Sequence, residues 1–147
     1  MMKIEIALAG VSRLFLDTAA VIYFVERNPS FVDRVDSIFE RFESEIIPVV
    51  GSVTVAECLV GALQMSLTDL EQAYMAIFGS DDVLFVENTL TISQEAARVR
   101  VQYNLQLPDA LQIAAAMGSG CQAFLTNDAQ LKRIAELDIL LVSELEV

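Results

Sequence analysis

Leu107–Leu131, LPDALQIAAAMGSGCQAFLTNDAQL, is the stretch that decides how this chain folds. It reads as a helix opening near Asp109, a short apolar strand at Ala123–Leu125, and a tight turn carrying Asp128. Pro108 suits the first helical turn, where its missing N–H leaves nothing unpaired. A helix that feeds a strand through a short loop runs antiparallel to it, so the helix start and the strand end meet at one edge of a sheet. Asp109 and Asp128, nineteen positions apart, then face each other across that edge. Facing carboxylates are what a divalent cation requires.

Outward from this stretch, short apolar runs alternate with amphipathic ones. Arg13–Leu16, Ile46–Val50, Val83–Val86, Ala123–Leu125 and Ile139–Val142 read as strands. They are apolar throughout, the mark of strands covered on both faces. Phe31, Val35, Ile38, Phe39 and Phe42 form one helical stripe; Leu70, Ala73, Tyr74 and Ile77 form another. Thr68 with Glu71, and Thr91 with Gln94, have capping-box spacing. The pattern predicts an α/β fold with a mostly parallel sheet, and residues 1–147 as a single domain.

Ligands of such sheets bind at the carboxyl ends of the strands. Asp17 follows the first strand directly, and Glu57 falls within two turns of the helix after the second. Asp109 begins the helix before the fourth strand, and Asp128 follows that strand. Asp81 and Asp82 precede a strand and belong at the opposite edge, while Glu95, on the helix after the third strand, is a spare candidate. In this reading the Asn104–Leu107 loop must carry the chain back across the sheet.

Composition narrows the chemistry. Nine basic and 21 acidic residues give a net charge of −12, and there is no His. Histidine bases, His-ligated zinc and Ser-His triads are excluded. The acidic balance also disfavours unspecific nucleic-acid binding, which rests on Lys and Arg. Cys58 and Cys121 have no metal or disulfide spacing and read as reduced, buried thiols. No apolar run reaches the roughly 20 residues of a membrane span. Glu5 and Arg13 interrupt the leader-like start, so the chain is expected to be uncleaved and cytoplasmic.

Each acid also has an ordinary structural reading. Asp17 and Asp128 suit helix caps, Glu57 completes a capping box with Thr54, and Asp109 suits the positive end of its helix. Their joint placement adds more. Four acids at one edge repel unless cations lie between them or some are protonated. Hard oxygen ligands select Mg²⁺ or Mn²⁺ over Zn²⁺. Metal-dependent phosphoryl chemistry is the reading that follows.

Three segments, LFLDTAAVIYFVE around Asp17, SVTVAECLVGAL around Glu57, and LPDALQIAAAMGSGCQAFLTND through Asp109 and Asp128, resemble PIN-domain ribonucleases. The likeness is greatest to the VapC-type toxins of toxin–antitoxin pairs. It implies a PIN-like parallel sheet of about five strands flanked by helices in three α/β/α layers. It also implies an acidic quartet, Asp17, Glu57, Asp109 and Asp128, holding one or two Mg²⁺ or Mn²⁺ ions. Asp17 and Asp109 would be direct ligands; Glu57 and Asp128 would bind a second ion or orient the attacking water. The implied activity is hydrolysis of RNA phosphodiester bonds, with a homodimer and a small inhibitory antitoxin as partners. Two positions depart from the family's pattern: Ala19 stands where Asn is usual, and Ala115 where many members have Thr. Thr126 matches a hydroxyl position of the family.

Arg27, Arg98, Arg100, Lys132 and Arg133 offer either a phosphate track or ordinary solvated helix charges. A mean hydropathy of +0.51 predicts an apolar face for a partner, with Phe24, Phe31 and Phe39 as candidates for it or for the core. The rival to a nuclease is a PIN-like module that acts only by binding protein, with Ala19 marking lost catalysis. Two other acid-site folds fit poorly. A haloacid-dehalogenase pattern needs an Asp where Ala19 stands, and a phospho-receiver needs an acidic pair at the first strand.

Overall fold

The computed structural model describes residues 1–147. In order, the chain forms β1 (Met2–Lys3), α1 (Ile4–Ala7), β2 (Arg13–Leu16), α2 (Thr18–Val25), α3 (Val32–Phe39), β3 (Ile47–Gly51), α4 (Ser52–Gln64) and α5 (Thr68–Phe78). There follow β4 (Leu84–Val86), α6 (Leu90–Tyr103), α7 (Leu107–Gly118), β5 (Ala123–Thr126), β6 (Asp138–Leu141) and β7 (Leu145–Glu146). Five strands pair in parallel in the order β4-β3-β2-β5-β6, and β1 pairs separately with β7. Helices cover the two faces, giving three α/β/α layers.

Strand periodicity explains the two cores. Successive side chains point to opposite faces. Leu14, Leu16, Val50, Ala123 and Leu125 therefore enter one core with Ala20 and Val21 of α2, Val35 and Ile38 of α3, and Tyr74 of α5. Phe15, Val49, Phe124, Ile139 and Leu141 face the other, against α6 and α7. The strand interiors are apolar because each face is buried. β4 is the exception: on this edge strand Leu84 and Phe85 are 36% and 44% exposed.

The N-terminal run that resembles a leader is part of the first core, through Ile4, Ala7 and Leu8. No helix is long and apolar enough to cross a membrane. Cys58 and Cys121 are free and buried, and burial pushes the Cys58 thiol up to about 12. Both are inert as nucleophiles in that state.

Three local expectations need correction. Leu67 caps α5 with no side-chain bond, so Thr68 lies inside the helix; α6 is capped by Thr89, whose Oγ1 accepts from Ile92 N, and not by Thr91. The sixth strand lies one residue earlier than Ile139–Val142. More consequentially, the Asn104–Leu107 loop does not recross the sheet. Asn104, left-handed at φ 53°, turns the chain tightly into α7, and a Cβ on Gly118 would lie 3.3 Å from Ile92 Cγ1. The start of α6 thus sits beside the end of α7, and α6 itself runs toward the strands' carboxyl edge. Glu95 is carried to the far end and pairs with Arg98, so it is no longer a spare ligand.

Candidate active site at the strand switch point

The chain leaves β2 for β3 and β4 on one side and later returns on the other to form β5 and β6. The seam between β2 and β5 is therefore the topological switch point, where α/β sheets bind their ligands. Asp17 stands on that seam. Its N–H donates to Leu125 O at 2.9 Å, and its Oδ1 accepts from Thr18 N at 2.8 Å as the cap of α2. From β5, the buried Thr126 donates its hydroxyl to Asp17 Oδ2 at 2.7 Å and accepts from Asp128 N at 3.1 Å. One hydroxyl thus ties together the acids that follow two adjacent strands.

The other acids arrive from both helical layers. Glu57, exposed on the second turn of α4, accepts from Thr18 Oγ1 at 2.6 Å. Asp109 lies in the first turn of α7, with Pro108 beside it. The four carboxylates are near enough to act on one another's charge, but no three stand at the spacing of one ion's shell. What they share is a field. Burial raises the Asp109 carboxyl above its ordinary value, and the charges of Asp17, Asp128 and Glu57 raise it further. Burial likewise raises Asp17, against the lowering pull of Thr126, Thr18 and Gln112, with Glu57 adding to the rise.

The ordinary readings of these acids are partly true as well. Asp17 caps α2, and Asp128 Oδ1 accepts from Gln130 N at 3.0 Å to open a 3-10 turn. Glu57 forms no capping box, because Gly51 caps α4 and Thr54 lies inside the helix, its hydroxyl donating to Leu16 O at 2.9 Å. A cap uses only part of a carboxylate's acceptor capacity. Capping and ligand binding are compatible.

A stability consequence follows from the raised Asp109. Its folded value exceeds its unfolded one, so its ionisation destabilises the fold at neutral pH, and this cost is lost as pH falls through the folded value. Asp109→Asn is therefore expected to melt higher than wild type at pH 7.5 without divalent metal. The difference should shrink as the pH falls through the folded value toward the unfolded one. Calorimetry at pH 7.5 and over a descending pH series checks this.

Of the five candidate phosphate contacts, four are engaged within the chain. Arg27 forms a bidentate pair with Asp36. Arg98 pairs with Glu95 and Glu136, and Lys132 with Glu144. Arg133 donates to Tyr103 O at 2.6 Å and to Asn104 O. Arg100 has no such partner. Phe24, Phe31 and Phe39 are half-buried and packed against the first core, with Phe24 and Phe39 stacked at 4.0 Å.

Residues 14–137 match the family model for the PIN domain. The chain belongs to the PIN domain family. No curated protein matches the chain in a sequence search. Among solved structures, this PIN chain resembles VapBC2 from Rickettsia felis, bound to a fragment of promoter DNA. The likeness is 16% identical at a TM-score of 0.70 and covers 87% of this chain and 97% of that one. It also resembles a toxin–antitoxin complex from Klebsiella pneumoniae, 20% identical at a TM-score of 0.69, covering 89% and 98% of the two chains. A third match is Mycobacterium tuberculosis VapC20, a sarcin-ricin-loop-cleaving toxin. It is 16% identical at a TM-score of 0.62 and covers 76% and 86%. At these identities the likeness is one of fold.

Sequence reasoning missed Thr18, Thr54 and Gln112. Thr18 lies within the quoted LFLDTAAV but was not singled out. Thr54 was read only as a capping partner. Gln112 had a usable signal: it is the single amide in DALQIAAAM, three positions after Asp109 and so on the same helix face.

Proposed function

We propose that this PIN protein is a Mg²⁺- or Mn²⁺-dependent endoribonuclease, acting in the cytoplasm as the toxin of a type II toxin–antitoxin pair. Residues 1–147 act as one catalytic unit. The observation that carries the reading is the hydrogen-bonded cluster at the seam of β2 and β5: Thr126 joins Asp17 to the backbone of Asp128, and Thr18 joins Asp17 to Glu57. An all-oxygen donor set at one sheet edge fits a hard divalent cation. PIN domains are generally divalent-metal dependent.

Asp17 and Asp109 would hold the cation, and Glu57 and Asp128 would take a second ion or orient water. When bound, the metal supplies Lewis acidity, acidifying a water and offsetting charge at the leaving oxygen. Thr126 and Thr18 fix the carboxylates of Asp17 and Glu57, so that little reorganises during reaction. Cation binding at the acids also reconciles a −12 chain with a polyanionic substrate, because it inverts the local field. Ala115 does not weaken this reading. It is a buried core position near Gly51, and its side chain contributes nothing polar at the edge.

The direct test is cleavage of single-stranded RNA by the purified chain. Activity should need Mn²⁺ or Mg²⁺ and stop with EDTA; no cleavage under any divalent metal would favour the binding-module alternative suggested by Ala19.

The partners proposed are a small antitoxin and a second copy of the chain. Exposed Leu84 and Phe85 on edge strand β4 support an apolar contact between copies. Sedimentation equilibrium should show a dimer at micromolar concentration, and Phe85→Asp should shift it toward monomer. A wild type that stays monomeric at high concentration contradicts this.

A further inference from the structure

Gln112 is 2% exposed, a buried amide among the alanines and Ile113 of α7. Its Nε2 donates to Asp17 Oδ1 at 3.3 Å and to Thr54 Oγ1 at 2.5 Å. Thr54, itself fully buried, donates its hydroxyl to the carbonyl of Leu16 at 2.9 Å. The amide therefore connects α7, the start of α4 and the junction of β2 with α2. Gly51 makes room for it: a Cβ there would lie 3.3 Å from Gln112 Oε1.

Packing alone does not explain an amide at this position. A buried polar group is costly unless it is hydrogen-bonded, and leucine fills a similar volume without that cost. The lone-pair count of Asp17 shows what the amide contributes. Oδ1 accepts from Thr18 N and Gln112 Nε2, and Oδ2 accepts from Thr126. A carboxylate has about four acceptor sites, so about one remains free. With three donors on three elements, the Asp17 carboxylate has a single orientation.

We infer that Gln112 is a positioning residue for the metal site: braced by Thr54, it fixes the Asp17 carboxylate and sets the distance between Asp17 and the helix that carries Asp109. This role rests on the proposed cation site. Ligand-orienting partners of this kind are worth about 10–100-fold in metal affinity.

The test is Mn²⁺ titration by calorimetry of wild type and Gln112→Leu, alongside metal-free thermal unfolding. Gln112→Leu should unfold cooperatively within about 4 °C of wild type, yet bind Mn²⁺ about 10–100-fold more weakly. Its RNA cleavage should recover when Mn²⁺ is raised to saturation, which a merely misfolded variant would not do. Thr54→Val, which removes the brace and keeps the volume, should weaken Mn²⁺ binding in the same direction, and it replaces Gln112→Leu should the latter fail to fold. Unchanged Mn²⁺ affinity in a folded variant overturns the role of Gln112. A wild type that takes up no Mn²⁺ overturns the cation site beneath it, and the two failures are read from different samples.

Discussion

Asp17→Asn and Asp109→Asn are each expected to lower Mn²⁺-dependent RNA cleavage about 10²-fold or more, since a metal-centred charge interaction is worth several kcal/mol. Both substitutions keep shape and remove one negative charge from the shared field. At Asp17 the change also disturbs a carboxylate oriented by Thr18, Thr126 and Gln112. At Asp109 no side-chain hydrogen bond constrains the carboxylate, so the loss there reports the charge alone. The higher melting point expected of Asp109→Asn separates lost chemistry from lost folding. Initial rates on a labelled single-stranded RNA, with circular dichroism on the same samples, measure both. Cleavage within about threefold of wild type in either folded variant would remove that acid from the site.

Phe15→Ala is expected to destabilise the fold by about 3–5 kcal/mol, lowering the melting temperature by about 10 °C or more. Phe15 and Phe124 stack with centroids 5.1 Å apart and 6° between planes, and neither has any exposed surface. They lie on neighbouring strands in register and turn toward α7, where Phe15 also closes on Gly51. Truncation there opens a cavity that strands tied on both sides cannot collapse around. Phe24→Ala, at a half-buried position, should cost visibly less. Equal losses in the two variants, by denaturant or thermal unfolding, would contradict the placement of the second core.

The same burial explains what was legible in the sequence. Runs that are apolar apart from one terminal residue, such as RLFL and AFLT, occur because both faces of β2 and β5 are covered, so the strands could be read nearly to the residue. Their spatial order could not: parallel strands that are all apolar carry no mark of their neighbours, and the switch between β2 and β5 emerges only from the packed sheet. Placing Asp17, Glu57, Asp109 and Asp128 at one edge needed only strand direction and loop length. Glu95 was misplaced for the same reason that α6 was. Nothing in Glu87–Thr89 tells which end of the sheet the helix starts from. Gln112 and Thr54 escaped notice because their roles depend on a hydrogen-bond chain across three elements, which no local pattern encodes.

The central claim is that the acids around the β2–β5 seam form a divalent-cation site. Calorimetric titration of Mn²⁺ into wild type and Asp109→Asn, with melting temperatures recorded at each metal concentration, tests it most directly. Saturable binding to wild type, a melting temperature that climbs with free Mn²⁺ as linkage requires, and the loss of both in Asp109→Asn are the predicted result. Heats equal to dilution and a melting temperature indifferent to Mn²⁺ in the wild-type protein would contradict it.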